Sequence, residues 1–129
     1  MSNPIVGALE IIGIRDAGSL EKERLLLRVL EPAKLEYYVV TNVKSTNGDQ
    51  LIILNDKVFW FPVALANPGE FIRLYTKSGS YKKDTGKYGE ASAVFHNFYW
   101  GLDAPVWGSV KSNAVTIFKL NTWNTAYQS

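Results

Sequence analysis

The chain has 129 residues, a length that suits one domain around a single hydrophobic core. It contains no cysteine, which excludes disulfide bonds, thiolate metal sites and cysteine-based catalysis. The formal net charge is only +2, and although residues 73–129 carry more basic than acidic side chains, a surface of mixed charge does not by itself identify an anionic partner.

Short segments with alternating apolar and polar residues recur along the whole chain, and they are rich in β-branched and aromatic side chains. Eight strands are predicted, at residues 5–14, 24–30, 35–43, 51–54, 57–63, 70–75, 93–99 and 114–120. Turn-forming residues separate them at 16–19, 31–32, 47–49, 55–56, 67–69 and 111–113. This order predicts an all-β fold, a sandwich or barrel, and no linker or repeat divides the single domain expected over residues 1–129.

The first residues, Met1-Ser2-Asn3-Pro4, do not form the cationic and apolar regions of a secretory signal. No apolar run is long enough to cross a bilayer. A soluble, cytoplasmic protein without a membrane span is therefore expected.

The segment from Ser19 to Glu31 is open to two interpretations. Its charged start followed by apolar residues fits a capped helix ended by Pro32, whereas the alternation of Leu25 with the leucine and valine that follow it fits a strand. We favour the strand because the neighbouring segments are extended. The carboxylates Glu21 and Glu23 in this segment are expected to be solvated.

The sequence Asn67-Pro68-Gly69-Glu70 has the residues of a type II turn. Proline presets the backbone angle of the first central residue, and glycine supplies the positive φ of the second. The strand that follows is expected to place Ile72 and Leu74 in the core.

Residues 76–92 form the longest stretch without a strand signal and are predicted to be a polar loop. Lysines alternate with tyrosines in and beside it, at Lys77, Lys82, Lys83 and Lys87 and at Tyr75, Tyr81 and Tyr88. Cations that neutralise phosphates and rings that stack on bases are the basis of nucleic-acid binding without sequence preference. A solvated lysine-rich loop is the more ordinary interpretation. No cofactor is predicted, because Gly79 and Gly86 are too far apart for a phosphate-binding loop.

Catalytic and metal-binding groups are scarce. His96 is the only histidine, and it lies in an aromatic segment that predicts a packed or hydrogen-bonded ring rather than a catalytic base. One histidine and scattered carboxylates do not predict a metal site. The chain is therefore not expected to be an enzyme.

A second group of rings comprises Phe98, Tyr99, Trp100 and Trp107. Core packing is the favoured role, but four rings in ten residues exceed what one side of a strand buries, so some are candidates for an exposed platform that binds sugar, peptide or a second copy. Trp123 and Tyr127 lie in a polar tail, where a ring docks on the domain or awaits a partner.

Three stretches together resemble a known family. They are residues 58–74, with an apolar segment before the Pro68-Gly69-Glu70 turn; residues 99–109, with the pairs Trp100-Gly101 and Trp107-Gly108; and a closing strand at 115–118. This order resembles the lamin tail domain and covers residues 5–119. The resemblance implies an immunoglobulin-like β-sandwich used for binding or tethering, with no catalytic residues. Asn113-Ala114 departs from it, because family members usually have Gly-Asp there.

The function predicted is a non-catalytic interaction module for a macromolecule, with protein favoured as the partner. Two alternatives stay open: nucleic-acid binding through the 76–92 segment, and carbohydrate binding through exposed tryptophans. Candidate binding residues, which come from the lysine-rich segment and the second ring group, are Lys77, Tyr81, Lys82, Lys83, Lys87, Tyr88, Tyr99, Trp100 and Trp107. Exposed edge strands allow self-association without indicating it.

Overall fold

A computed structural model describes residues 2–45, 51–108 and 113–128. Over these residues the fold is all-β, with eleven strands, one short 3₁₀ helix and no α-helix. The strands are β1 (Ile5–Val6), β2 (Leu9–Arg15), β3 (Arg24–Val29), β4 (Ala33–Lys34), β5 (Tyr38–Ser45), β6 (Leu51–Trp60), β7 (Leu65–Ala66), β8 (Phe71–Tyr75), β9 (Lys82–Tyr88), β10 (Ala91–Tyr99) and β11 (Asn113–Lys119).

The described strands form three sheets. The largest has six strands in the order β1-β2-β3-β8-β10-β9, the second has three in the order β11-β5-β6, and the third pairs β4 with β7. All neighbours are antiparallel except β8 and β10, which run parallel. The strand β9 therefore lies at one edge of the large sheet.

One hydrophobic core lies between the large sheet and the three-stranded sheet. The large sheet contributes Leu9, Leu25, Leu27, Ile72, Leu74 and Phe98, and the three-stranded sheet contributes Tyr38, Val40 and Ile117. Ile72 and Leu74 are fully buried, as their alternation predicts. The inner face of each sheet thus packs into the core, and the outer face of each sheet is turned away from it.

Two local predictions are confirmed. The Glu70 amide donates a 3.1 Å hydrogen bond to the Asn67 carbonyl, and Gly69 has a φ of +86°, as the type II turn requires. The ambiguous segment forms the strand β3, because Leu25, Leu27 and Val29 pair into the sheet and enter the core.

Other boundaries were predicted wrongly, so eleven strands replace the eight expected. The single strand expected at 5–14 is a hairpin of β1 and β2, turned at Gly7, where φ is +56° and a side chain would overlap the Tyr38 hydroxyl. The turn expected at Asn55-Asp56 lies within the continuous strand β6, at a break in its register with β5. Backbone pairing across a sheet overrides local turn preference at this position.

The polar loop expected at 76–92 was also predicted wrongly. Most of it is the strand β9 and the start of β10, paired from Lys82 opposite Asn97 to Tyr88 opposite Ala91. An edge strand that faces solvent on one side needs few apolar residues, so it lacks the hydrophobic alternation of a central strand. The turn expected at 47–49 and the first two residues of the turn expected at 111–113 lie outside the described residues, and Asn113 begins β11.

Candidate functional site

His96 is buried, with 2% of its surface exposed. Its Nδ1 lies 2.8 Å from the Tyr81 hydroxyl, and its Nε2 lies 2.8 Å from Oε1 of Glu70. A neutral ring protonated on Nε2 satisfies both contacts, donating to Glu70 and accepting from Tyr81. The packed, hydrogen-bonded histidine expected from the sequence is confirmed.

A hydroxyl, a histidine and a carboxylate in this order resemble a nucleophilic triad. The pKa of the Tyr81 hydroxyl, however, opposes its use as a nucleophile. Burial and, to a lesser extent, the Glu70 charge raise the pKa of the Tyr81 hydroxyl. The hydroxyl therefore stays a protonated donor and does not become a nucleophilic phenolate. Burial alone would raise the pKa of Glu70, yet hydrogen bonds from Asn67 and His96 and nearby positive charge hold that pKa below its ordinary value. The three groups connect the 67–70 turn, β10 and the segment before β9.

The candidate residues of the 76–92 segment do not form one surface. Alternation along β9 places Lys82 and Tyr88 on the outer face of the large sheet and Lys83 on the opposite side, toward Glu70. Tyr88 stacks on Phe71 with their ring centroids 4.4 Å apart, and Tyr81 packs on the buried Phe98. Tyr88 is therefore engaged inside the protein, whereas Tyr81 contacts Phe98 and His96 but is 49% exposed.

An edge strand explains the lysines themselves. Lys82, Lys83 and Lys87 are exposed on β9, whose outer backbone groups have no neighbouring strand within the sheet. Charged side chains on such a strand oppose edge-to-edge pairing with another chain. Lys77 lies apart from them, 3.5 Å from Oε2 of Glu21 and over the Tyr75 ring.

The second ring group contributes mainly to packing. Trp107 is 1% exposed and donates from its indole to the Ala114 carbonyl, so its candidacy for an exposed platform was wrong. Trp100 is partly buried against Trp107, with ring centroids 5.8 Å apart. Tyr99 stacks on Tyr75. Core packing is thus the role of most of this group.

Glu23 was expected to be solvated, and that expectation was wrong. It has no exposed surface, and its two oxygens accept hydrogen bonds from the Thr76 hydroxyl and from the backbone amides of Gly18, Val106, Trp107 and Gly108. Five donors compensate the desolvation of a carboxylate, so the charge is satisfied without a cation. Glu23 thereby ties the start of β3 to the end of β8 and to the segment before β11.

The outer face of the large sheet is an aromatic layer covered by arginines, and we call it the arginine face. Leu26, Phe71 and Phe95 are buried in it, and the described apolar side chains packed against them come from the large sheet itself. The Arg73 guanidinium lies 3.9 Å from the centroid of Phe95, and Arg28 lies over both Phe71 and Tyr88. These long side chains shield the rings from water while their charges stay near solvent.

The outer face of the three-stranded sheet is different, and we call it the apolar face. Val39 is paired with Trp60 on one side and Phe118 on the other, and Val58 lies in the next row. Trp60, Val58 and Phe118 are 46%, 52% and 42% exposed. Neighbouring Phe59 and Ile117 point into the core, so strand alternation brings these side chains to the outside together.

The C-terminal tail crosses the edge of the apolar face. The Trp123 ring meets Trp60 edge to face at 5.4 Å and Tyr37 at 5.0 Å, while Tyr127 is 89% exposed. Residues 122–128 have neither strand nor helix. One tail ring therefore docks on the domain, and the other does not.

No three histidine, aspartate or glutamate side chains lie close enough to hold a metal ion in the part of the chain that the structure describes. In the same part, no helix is long and apolar enough to span a membrane. Comparison of this chain with family models, with curated proteins and with solved structures finds no match.

Proposed function

We propose that this protein is a non-catalytic binding module that engages a partner protein through the apolar face. The observation that carries the proposal is the solvent-facing row of Trp60 and Phe118 on either side of Val39, with Val58 beside it. Contiguous apolar surface with aromatic anchors is typical of protein interfaces, whereas exposed apolar side chains elsewhere in soluble proteins are scattered.

The occupant that fits best is an extended segment of the partner that carries an aromatic residue. The chain's own tail supports this choice, because residues 122–128 are irregular and place the Trp123 ring against Trp60. Aromatic side chains provide large contact area at a low cost in conformational entropy. A partner segment would extend the same type of contact from Trp60 toward Phe118.

The alternatives have less support. Nucleic-acid binding by stacking requires rings that are free beside cations, whereas Tyr88 is stacked on Phe71, and Tyr81, although 49% exposed, is held against Phe98 and bonded to His96. A sugar platform favours an open ring face, whereas Trp107 is buried and Trp60 meets Trp123 at 86°.

We further propose that the fold is an immunoglobulin-like β-sandwich similar to lamin tail domains. The residues that carry the resemblance have structural roles that support it. Gly69 occupies the positive φ of the turn, Glu70 is bonded to His96, and Trp107 anchors β11 through its indole. The resemblance therefore falls on residues with definite tasks in the fold.

Affinity capture from lysate of the source cells tests the proposed function. We expect wild type to retain a partner protein that the double variant Val58→Thr, Phe118→Thr does not retain, because threonine keeps the strand but removes the apolar contact. The matched control is Tyr127→Thr, which removes an exposed ring away from the sheet. Equal capture by all three proteins would contradict the proposal, and so would light scattering that shows only a second copy of this chain on the apolar face.

A further inference from the structure

A small cavity opens on the arginine face, on the opposite side of the core from the apolar face. Its volume is about 180 Å³, and its walls include Arg15, Arg24, Arg73 and Lys87, with Tyr88 and Phe95 beside them. The three arginines come from the neighbouring strands β2, β3 and β8 and lie on the same face of the sheet, whereas alternation along β9 turns the Lys87 side chain to the opposite face, so the charge of this cavity comes from the arginines.

The positive charge around this cavity exceeds the negative charge that is paired with it. Asp16 bonds Arg24 at 2.6 Å and Asp84 bonds Arg73 at 3.1 Å. Arg15 forms no ion pair within the described residues. Three arginines against two carboxylates leave an excess of one positive charge.

Two of the guanidinium groups are held in place before any ligand arrives. Arg73 donates from Nε to Asn97 and from Nη2 to Asp84 while its plane lies over Phe95. Arg24 donates from Nη1 to both Asp16 and the Lys22 carbonyl. Side chains that are already ordered lose less entropy when they bind.

Gly13 lies beside Arg15, which forms another wall of the cavity. Gly13 follows the bulge in β2, and a side chain there would approach Nη1 of Arg15 to 3.3 Å. The absent side chain lets the Arg15 guanidinium fold back along its own strand. This geometry gives the cavity a third arginine beside the two that are fixed.

We propose that this cavity binds a phosphate monoester. A phosphate monoester carries about −1.5 to −2 charges near neutral pH and three strong acceptor oxygens, which suit a net positive cavity lined by the forked donors of three arginines. The aromatic rings beside the cavity are already covered, Phe95 by Arg73 and Tyr88 by Phe71 and Arg28. The site therefore recognises the anionic group itself and does not stack on a base.

Calorimetric titration of the intact protein at low ionic strength tests this site. The probes are inorganic phosphate, a phosphoserine peptide with its unphosphorylated counterpart, and adenosine monophosphate. We expect saturable one-to-one binding of inorganic phosphate and no binding of the unphosphorylated peptide. Tighter binding of the phosphoserine peptide than of the nucleotide assigns the phosphate to a protein, and the reverse order assigns it to a small molecule; either order supports the site.

The variant Arg15→Gln removes an exposed cation that holds no ion pair in the described residues, so the fold should persist. We expect it to weaken phosphate binding at least about tenfold, as the loss of a charge-assisted hydrogen bond does. Its matched control, Lys34→Gln, has the same net charge but alters no wall of the cavity. Arg15→Lys keeps the charge without the fork and should bind at an intermediate level.

Three results would overturn the proposal: titrations with phosphate that do not saturate, equal weakening in Arg15→Gln and Lys34→Gln, or binding of single-stranded oligonucleotide without binding of phosphate. The test is independent of the apolar face, because Val58→Thr with Phe118→Thr should leave phosphate binding unchanged.

Discussion

The arginine face and the apolar face differ in how their aromatic side chains meet water. On the arginine face, Phe71 and Phe95 are buried beneath Arg28 and Arg73 of the same sheet. On the apolar face, Trp60 and Phe118 stand about half exposed, with Trp123 at the edge of one ring. The same chain thus covers rings with its own cations on one sheet and leaves them uncovered on the other.

Exposed aromatic rings are therefore a property of the apolar face and not of both sheets. Long cationic side chains shield aromatic surface without a partner, and the arginine face does so with Arg28 and Arg73. Apolar surface that is left open costs solubility, so it is typical of a place where a partner binds. We therefore expect the arginines that cover the rings to support stability and the apolar face to bind a partner protein.

The largest expected effect comes from Glu23, which anchors the domain that both faces share. In Glu23→Gln an amide nitrogen replaces one carboxylate oxygen and meets backbone or hydroxyl donors in either orientation. Because buried donors would lose their acceptor, we expect the free energy of unfolding to fall by about 3 kcal/mol or more in urea titrations. The control is Glu21→Gln, whose side chain is largely exposed; equal effects would contradict this role.

A smaller loss of stability is expected on the arginine face. Arg73→Gln removes the guanidinium from Phe95 and breaks its hydrogen bonds to Asn97 and Asp84. We expect the free energy of unfolding to fall by about 1–2 kcal/mol, with increased binding of a hydrophobic dye to the uncovered rings. Arg15→Gln is the matched control and should change stability by less than about 0.5 kcal/mol. An equal loss in both variants would show that net charge, not coverage of the rings, sets stability.

Substitutions on the apolar face should change stability least at neutral pH. For Val58→Thr and Phe118→Thr we expect changes within about 0.5 kcal/mol, because these side chains are already half in water. Thermal unfolding of each variant measures this. A loss of stability as large as that of Arg73→Gln would mean that the apolar face is part of the core, and it would contradict the assigned difference between the two faces.

The last prediction concerns acid and the inner side of the large sheet. The pKa of Glu70 is lower in the folded protein than its ordinary value of 4.5, so its contribution to stability is present above that pH and is lost as the pH falls through the folded pKa. We expect wild type to lose more stability than Glu70→Gln below about pH 4.5. Urea titrations at a series of pH values check this, and parallel pH profiles would contradict it.

Local features were predictable from the sequence, and features set by distant pairing were not. The turn at Gly69 follows from residues within the turn itself, and the buried positions of Ile72 and Leu74 follow from strand alternation. The strand β9 escaped prediction because an edge strand rich in lysine resembles a loop. The burial of Glu23 depends on amides more than 80 residues away, which no local pattern reveals.

The sequence predicted the type of the candidate site but not the residues that form it. Aromatic surface and a binding role follow from composition, but the sequence directed attention to Trp107, which is buried. Trp60 and Phe118 lie on strands distant in sequence, and only their common pairing with Val39 brings them together. Which rings face solvent is therefore decided by the order of strands in the sheet.

Photo-crosslinking in the source cells tests directly whether the apolar face binds a partner protein. A photoreactive amino acid at position 58 or 118 reports what touches the apolar face, and the same amino acid at position 82 reports contacts at the exposed edge strand β9. We predict that positions 58 and 118 both form an adduct with the same second protein and that position 82 does not. Adducts at position 82 alone, or none at positions 58 and 118, would contradict the account.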